Sequence, residues 1–391
     1  MSRPDRVLIL LPLALTAVGL VLVYSASSIL GLTQHGDDFY YVVRQAFRAL
    51  LGLGAMVWLA RVDYHKLGRL SLFLFVATLG LLAVTALFGA GDEVRGARRW
   101  VRFLGFGFQP GELARLFTIL FLAWFVARRG DRIRSLWQGY LPSLAVLGLA
   151  CALVAVQPNL SSAVVLFAAG WMILAFAGTR WMHLAGTVGL GAAGFVAMIS
   201  RFDYQRERLV HHVQFLFTGK LDTLGSGWQL DQSLIALGSG GLFGRGFGRG
   251  LQKFLFLPDP HTDFIFSIAG EEGGLLVTGA ILIAYVLLLW QGYRTALRAA
   301  DSFGALLAAG ITTQIGLYAY VNIGVATGLL PTTGLPLPFL SFGGSALVVN
   351  LAAMGILLNV SRQAAETRTA RAAHVAPLQR ALRKPAWEGL R

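Results

Sequence analysis

The chain has 391 residues, of which 56% are hydrophobic and only 13% are charged, and its formal net charge is +14. Soluble domains carry about 25% charged residues, so the composition excludes an ordinary soluble protein and predicts an all-α polytopic integral membrane protein. The single cysteine, Cys151, lies in an apolar run, which excludes disulfides and cysteine metal sites, and we expect the positive charge to set membrane topology rather than to bind nucleic acid.

Ten membrane-spanning helices are predicted, since a helix needs about 20 apolar residues to cross a bilayer. The first run is too long for a signal peptide and lacks a convincing cleavage site, so we expect it to remain as a span. A long outer loop of about 200–262 separates the seventh and eighth spans. The ten runs lie near 7–30, 42–60, 70–88, 112–127, 136–157, 160–178, 182–199, 263–291, 303–323 and 342–360.

The distribution of lysine and arginine predicts that both termini are cytoplasmic, because cytoplasmic loops collect positive residues. With the N-terminus inside, the basic residues fall mainly in alternate loops, beginning with Arg61 and Arg69. Residues 1–362 form the predicted transmembrane domain. The remaining residues, 363–391, form a basic cytoplasmic tail with little periodicity, which we expect to be disordered and to touch anionic membrane lipid.

The short loop at 91–112 breaks this charge trend. It is predicted to lie outside, yet it holds Arg95, Arg98, Arg99 and Arg102. Guanidinium groups bind phosphate oxygens bidentately, so these arginines are candidates for binding an anionic head group. Pairing with neighbouring acidic residues or with lipid phosphate is the alternative.

A second outer segment, 225–254, is dense in glycine and ends near Lys253. It is either a flexible hinge or a backbone cradle for a ligand. Its GRGFGRG stretch does not follow a buried strand, so the pattern does not indicate a nucleotide-binding fingerprint.

The segment LPDPHTDFIF at 257–266 places Asp263 at the mouth of a long apolar run. An ionisable side chain is costly there and usually belongs to a functional site. The predicted topology puts this carboxylate at the outer membrane surface. A helix cap is the alternative, since Asp suits a helix N-terminus. His261 is expected to orient Asp263, to bind phosphate or simply to fill space.

Charged residues inside the other spans are expected to pair with one another. We predict that Glu271 is a buried partner of Arg44, Arg48 or Arg115, and that Glu272 belongs to the same structural pairing. Farther along the chain, the break PTTGLPLP at 331–338 either shapes a re-entrant outer loop or simply separates two helices.

Several long motifs in this order resemble the SEDS family of shape, elongation, division and sporulation proteins, typified by FtsW and RodA. The resemblance covers about residues 10–362, and the QK pair at 252–253 is more similar to the FtsW branch than to the RodA branch. The motifs are VYSASS at 23–28, GARRWVRF at 96–103, FQPGELARL at 108–116, LPDPHTDFIFSIAGEEGG at 257–274 and NIGVATGLLPTTGLPLPFLSFGGSA at 322–346.

This resemblance implies a peptidoglycan glycosyltransferase of the bacterial cytoplasmic membrane. Such enzymes polymerise lipid II, a disaccharide-pentapeptide on undecaprenyl pyrophosphate, and work with a class B penicillin-binding protein and other divisome proteins. The essential aspartate of the family falls on Asp263, which would take a proton from the attacking sugar hydroxyl. The candidate substrate-binding residues are Arg98, Arg99, Arg102, Lys253, His261, Glu112 and Arg115. A divalent cation, Mg²⁺ or Mn²⁺, could share the charge-stabilising role, although no ligand cluster of clear spacing is present.

Two departures from the family pattern leave Asp263 untouched. The usual Q-P-S-E-x-x-K appears as QPGELAR, with Gly111 and Arg115, and P-D-x-G-T-A appears as PNLSSA, with Asn159. A metal or proton role is therefore doubtful at Asn159, which has lost the carboxylate. Three alternative functions stay open: a lipid II flippase that uses the intramembrane charges as a polar path, a non-catalytic scaffold, and an elongation-type polymerase similar to RodA.

Overall fold

The computed structural model describes residues 5–88, 90–91, 98–103, 106–157, 159–199, 203–219, 227–254 and 256–383. Within these residues there are twelve α-helices. They are α1 Arg6–His35, α2 Tyr40–Arg61, α3 Tyr64–Phe88, α4 Pro110–Ala127, α5 Leu141–Val156, α6 Leu160–Phe176, α7 Trp181–Ile199, α8 Asp203–Thr218, α9 Trp228–Gly240, α10 Ile265–Arg298, α11 Ser302–Ala326 and α12 Gly344–Arg383.

The predicted spans are confirmed. Eight helices are long and apolar enough to cross a membrane, and α6 and α7 are shorter apolar helices, which together make the ten expected in the described part of the chain. The helices α8 and α9 lie inside the predicted long loop between the seventh and eighth spans. Because successive spans alternate in direction, α10 begins and α11 ends at one end of the bundle, called here the Asp263 end.

Three short antiparallel strands are added to the predicted all-α architecture. The strands β1 Ala90–Gly91, β2 Arg98–Phe103 and β3 Phe106–Phe108 pair in the order β1-β2-β3. Val101 is opposite Phe108 and Phe103 is opposite Phe106. Aromatic and β-branched residues favour strands, which explains why this arginine-rich loop forms a hairpin.

The C-terminal tail also differs from its expectation. The helix α12 continues to Arg383, so the tail that we expected to be disordered is helical between residues 363 and 383. The residues concerned are rich in Ala, Arg, Gln and Leu, which have high helix propensities. Residues 384–391 lie outside the described part of the chain.

Glycines allow α2 and α12 to pack closely. A Cβ atom on Gly52 would lie 2.6 Å from Cδ1 of Leu351, and one on Gly355 would lie 2.5 Å from the carbonyl oxygen of Met56. Small residues let helix backbones approach in membranes, where packing replaces the hydrophobic effect as the main cause of association.

The loop between α11 and α12 enters the bundle, as one of the two sequence interpretations predicted. Leu337, Phe339 and Leu340 are buried. The carbonyl oxygen of Phe339 would lie 2.6 Å from a Cβ atom on Gly19, near the middle of α1, and the hydroxyl of Tyr285 donates to the carbonyl oxygen of Pro338. The proline-rich segment is therefore a re-entrant loop and not a simple break between helices.

Candidate functional site

Asp263 lies directly before α10 and is half-buried. Its backbone N–H donates to the carbonyl oxygen of Asp259 at 3.2 Å. Its carboxylate oxygen Oδ2 lies 3.7 Å from the position of a Cβ atom on Gly334, in the re-entrant loop. The N-cap residue of α10 is Phe264 and not Asp263. The helix-cap interpretation therefore loses its support, while the placement at the mouth of the span is as predicted.

Asn322 of α11 holds this region together. Its Nδ2 atom donates to the carbonyl oxygens of Asp263 and Leu335, each at 2.8 Å, and the side chain is buried. One amide therefore joins the backbone that carries Asp263 to the re-entrant loop. The sequence analysis did not single out Asn322, although an amide within the uncharged run 302–361 was an available signal.

His261 packs between two other elements. Its ring centroid lies 4.9 Å from that of Tyr41 on α2 and 5.4 Å from that of Phe342, and its carbonyl oxygen accepts from the backbone N–H of Phe342 at 2.8 Å. Burial lowers the pKa of His261 to about 4, against the opposing charge of Asp259. A neutral, buried imidazole positions the loop that carries Asp263, and it is a poor ligand for phosphate.

Arg48 differs from its predicted role. Its guanidinium carbon lies 5.1 Å from the ring centroid of Phe342 and 3.3 Å from the position of a Cβ atom on Gly344. Among the described residues it forms no ion pair with an acidic side chain, so the predicted pairing with Glu271 is wrong. Glu271 is instead held by the long loop. Arg48 therefore places a positive charge beside the first turn of α12.

The arginine-rich hairpin reaches the same turn. Arg98, Arg99 and Arg102 all lie on β2, and Arg102 pairs in register with Gly107 on β3. Just after β3, the backbone N–H of Gln109 donates to the hydroxyl of Ser345 at 2.8 Å. The hairpin and Arg48 are thus connected to the start of α12, next to the loop that carries His261 and Asp263.

Glu112 and Arg115 lie deeper in the bundle. Both are buried and form an ion pair with each other across one turn of α4. The Arg115 guanidinium also lies 3.8 Å from the ring centroid of Tyr318, one turn before Asn322 on α11. Neither interaction favours direct contact with a head group, and Arg115 is not the partner of Glu271 that the sequence suggested.

Lys253 is not an exposed phosphate ligand, because it is buried and paired. Its Nζ atom lies 3.2 Å from Oε1 of Glu272, donates to Ser25 Oγ at 3.2 Å and donates to the carbonyl oxygen of Gly248 at 2.6 Å. The Ser25 hydroxyl donates to the same Glu272 oxygen at 2.6 Å. Glu272 thus has a structural partner, which comes from the long loop and not from the arginines of another span.

Glu271 also binds that loop. Its carboxylate accepts from the backbone N–H groups of Leu251 and Gln252 at 2.7 and 3.2 Å, and the Arg245 guanidinium lies 3.9 Å away. Backbone amides supplied by the loop thus replace the predicted arginine from another span. The reason is proximity, since Arg44 and Arg48 lie on α2 while the loop runs directly along α10.

The glycine-dense segment forms a backbone cradle, and the group that it holds is the interrupted part of α10. The helix α10 is interrupted at Gly274, with φ of 67°. The backbone N–H groups of Arg245 and Gly246 donate to the carbonyl oxygens of Glu271 and Glu272 at 2.9 and 3.0 Å. On the far side of the break, the N–H of Leu275 donates to the carbonyl oxygen of Gly241 at 2.9 Å. The loop therefore satisfies the polar groups that the interruption exposes, as a membrane requires.

A metal site has no visible ligand set in this part of the chain. Among the described residues, no three His, Cys, Asp or Glu side chains cluster so that they could hold a metal ion. The requirement for Mg²⁺ or Mn²⁺ therefore stays a prediction.

Comparisons with known proteins give a consistent result. A family model described as "Cell cycle protein", covering FtsW, RodA and SpoVE, matches residues 5–366. A protein of Geobacter metallireducens named "Probable peptidoglycan glycosyltransferase FtsW" is 40% identical over 360 residues, which cover 92% of this chain and 95% of the relative. Stage V sporulation protein E of Bacillus subtilis is 39% identical over 361 residues, covering 92% of this chain and 98% of that protein.

Solved structures show the same similarity. A chain from a structure described as "Structural coordination of polymerization and crosslinking by a peptidoglycan synthase complex" is 30% identical, with a TM-score of 0.75, covering 93% of this chain and 99% of the other. The rod shape determining protein RodA of Thermus thermophilus is also 30% identical, with a TM-score of 0.68, covering 92% and 97% of the two chains.

Proposed function

Because the chain belongs to the FtsW, RodA and SpoVE family of cell cycle proteins, we propose that this multi-pass membrane protein polymerises lipid II into glycan strands. It is a peptidoglycan glycosyltransferase, and its site lies at the outer face of the cytoplasmic membrane, with both termini in the cytoplasm. The 40% identity to a relative named FtsW supports work in cell division rather than in elongation.

Asp263 acts as the general base. It accepts the proton of a sugar hydroxyl while the hydroxyl oxygen forms a bond to the anomeric carbon of a second lipid-linked sugar. The bond from that carbon to the phosphate oxygen breaks, and the undecaprenyl pyrophosphate leaves with the electron pair. General base catalysis of this kind contributes a factor of about 10² to 10⁴ in rate.

The leaving pyrophosphate gains negative charge that cations must stabilise. Arg48 supplies one such cation, because it adjoins the first turn of α12. The arginines of β2 are assigned the same role, since the hairpin that carries them is joined to that turn through the hydrogen bond from Gln109 to Ser345. The amide groups of that helix N-terminus add a favourable dipole for an anion. Lys253 is not among the ligands, since Glu272 already neutralises it.

The observation that carries this proposal is the placement of a half-buried carboxylate beside the re-entrant loop, on a backbone that Asn322 holds in place. The test is lipid II polymerisation by the purified protein with its partner. Asp263→Asn should reduce the rate by at least about 10²-fold without changing the melting temperature. The matched control is Asp259→Asn, which removes an exposed carboxylate four residues away and should polymerise normally. Full activity of Asp263→Asn contradicts the assignment of the base.

The interactions of the charged residues weaken the flippase alternative. Glu112 pairs with Arg115, while Glu271 and Glu272 bind the long loop. These groups form separate local networks and not one polar path. Head-group translocation in vesicles containing the purified protein alone would restore that alternative. The scaffold alternative predicts that cells carrying Asp263→Asn still grow and divide, which the base assignment does not allow.

A partner that crosslinks the product completes the proposed activity. A class B penicillin-binding protein suits this role, and the similarity to a chain of a peptidoglycan synthase complex supports such an assembly. Other divisome proteins would bring the pair to the division site. Co-purification of this chain with a class B transpeptidase from the same cell, and stimulation of polymerisation by it, would test the partnership.

A further inference from the structure

The end of the bundle opposite Asp263 contains a cavity that the proposed reaction does not use. It has a volume of about 140 Å³ and lies between the start of α1, the end of α10 and the middle of α12. Its lining includes Thr295 and Arg298 from α10, Ala365 and Arg368 from α12, and Asp5, which precedes α1. Three helices that are distant in sequence thus meet around one polar space.

The charge in this cavity is unbalanced. Arg298 and Arg368 are both exposed, lie close enough to repel each other and form no ion pair among the described residues. Asp5 accepts from the backbone N–H of Val7 at 3.0 Å and from the side-chain amide of Gln291, and its charge offsets one of the two guanidinium groups. Among the described residues that line the cavity, two guanidinium groups thus face one carboxylate, which leaves a net positive charge for an anionic ligand.

The surroundings of the cavity favour a lipid over a soluble anion. Leu297 is 89% exposed and Trp290 is 57% exposed on α10, and Leu10 of α1 is 61% exposed. These side chains belong to helices long and apolar enough to cross a membrane. A group bound between the two arginines would thus lie at the depth where apolar side chains meet the lipid head groups. Basic pockets between transmembrane helices on the cytoplasmic side suit phosphate head groups.

We propose that Arg298 and Arg368 bind the phosphate head group of an anionic phospholipid in the cavity between α1, α10 and α12. The bound lipid bridges the N-terminal helix to two helices of the bundle core, so it stabilises the folded protein. The acyl chains lie along the exposed apolar side chains of α10 and α1. This site is independent of the glycosyltransferase site, since it lies at the other end of the same helices.

The test is the melting temperature of the purified full chain in neutral detergent with added phosphatidylglycerol or, at equal mole fraction, phosphatidylcholine. Phosphatidylglycerol should raise the melting temperature by about 3 °C relative to phosphatidylcholine, because a ligand that binds only the folded state stabilises it. Arg298→Gln combined with Arg368→Gln should remove most of this difference. The matched control is Arg61→Gln combined with Arg69→Gln, which removes two exposed arginines from the same face and should keep it.

A second variant keeps the test decisive if the double substitution fails to fold. Ala365→Leu fills the cavity and leaves both arginines in place, so it should also abolish the effect of phosphatidylglycerol. Two results would overturn the proposal: an equal loss in the Arg61 and Arg69 control, which would indicate a general charge effect, or equal protection by inorganic phosphate alone, which would indicate a site for a free anion.

Discussion

Acidic residues have different surroundings at the mouth of α10 and two turns inside the same helix. At its mouth Asp263 is half-buried, and the surrounding contacts hold its backbone. Two turns farther along, Glu271 and Glu272 are buried and their carboxylates accept from loop amides, a lysine and a serine. A carboxylate at a membrane depth is costly in either place. Glu271 and Glu272 are therefore structural anchors, whereas Asp263 is the candidate base, and the position and burial of the carboxylate, not its residue type, separate the two roles.

The largest expected effect comes from breaking the ion pair between Lys253 and Glu272. Lys253→Met removes the cation that neutralises buried Glu272, and an uncompensated buried charge costs about 3 to 5 kcal/mol. Thermal unfolding can be followed by dye labelling of Cys151, the single cysteine. Arg245→Gln is the control, because that guanidinium is partly exposed and 3.9 Å from Glu271, and it should cost under about 1 kcal/mol.

A double variant tests whether the uncompensated charge of Glu272 causes this loss of stability. Lys253→Met combined with Glu272→Gln removes the charge that Lys253→Met leaves behind, so it should recover a large part of the lost stability. If the double variant is no more stable than Lys253→Met alone, the ion pair is not the reason for the loss.

The next largest loss of stability is expected where the long loop packs against the interruption of α10 at Gly274. Gly244 has φ of 76°, and a Cβ atom there would lie 2.2 Å from the carbonyl oxygen of Glu272. Gly244→Ala should therefore cost about 3 kcal/mol, combining backbone strain with displacement of the loop. Gly248 has φ of 77° with nothing within 4 Å of the added atom. Gly248→Ala should cost only about 1 kcal/mol, and equal losses would show that the contact with α10 contributes nothing.

Substitution of Asn322 tests whether catalysis depends on the position of the backbone that carries Asp263. Asn322→Leu leaves the carbonyl oxygens of Asp263 and Leu335 without their donor, which costs about 1 to 3 kcal/mol, and it should also lower kcat. Asn359→Leu is the control at the opposite end, where the amide donates to the carbonyl oxygen of Ala60 at 2.9 Å. The control also removes the acceptor of the Tyr64 N–H and of the Gln363 amide, so it should lose at least as much stability with an unchanged kcat per folded enzyme. Equal kcat values for the two variants would contradict the positioning role.

The pH dependence of stability gives the smallest effect. His261 has a pKa of about 4 in the folded protein against an ordinary value of 6.5, so the unfolded chain binds its proton more tightly. Its contribution is complete above pH 6.5 and is lost as the pH falls toward 4. Between pH 7 and pH 5 the wild type should lose about 2 kcal/mol from this group. His261→Leu should show a flatter profile over that range, and an unchanged slope would mean that another group titrates.

Much of the architecture was readable from the sequence. The lengths of the apolar runs located all ten spans, because a helix must be long enough to cross the hydrocarbon core of the membrane. The carboxylate at the mouth of the eighth span was also visible, since a charge is rare there. The hairpin and the helical tail were missed. Both segments are basic, and we interpreted them by charge rather than by the strand propensity of the first and the helix propensity of the second.

The number of spans and the family follow from local composition and from motifs, which are contained in the amino-acid sequence. The role of Asp263 as the base is a prediction from the same motifs. Which charges meet depends on the tertiary fold. It joined Glu271 and Glu272 to the loop and not to Arg48, placed Arg48 beside Gly344, and gave Asn322 its two acceptors. Such pairings depend on which faces of distant helices touch and on where α10 is interrupted, and neither property is contained in any single segment.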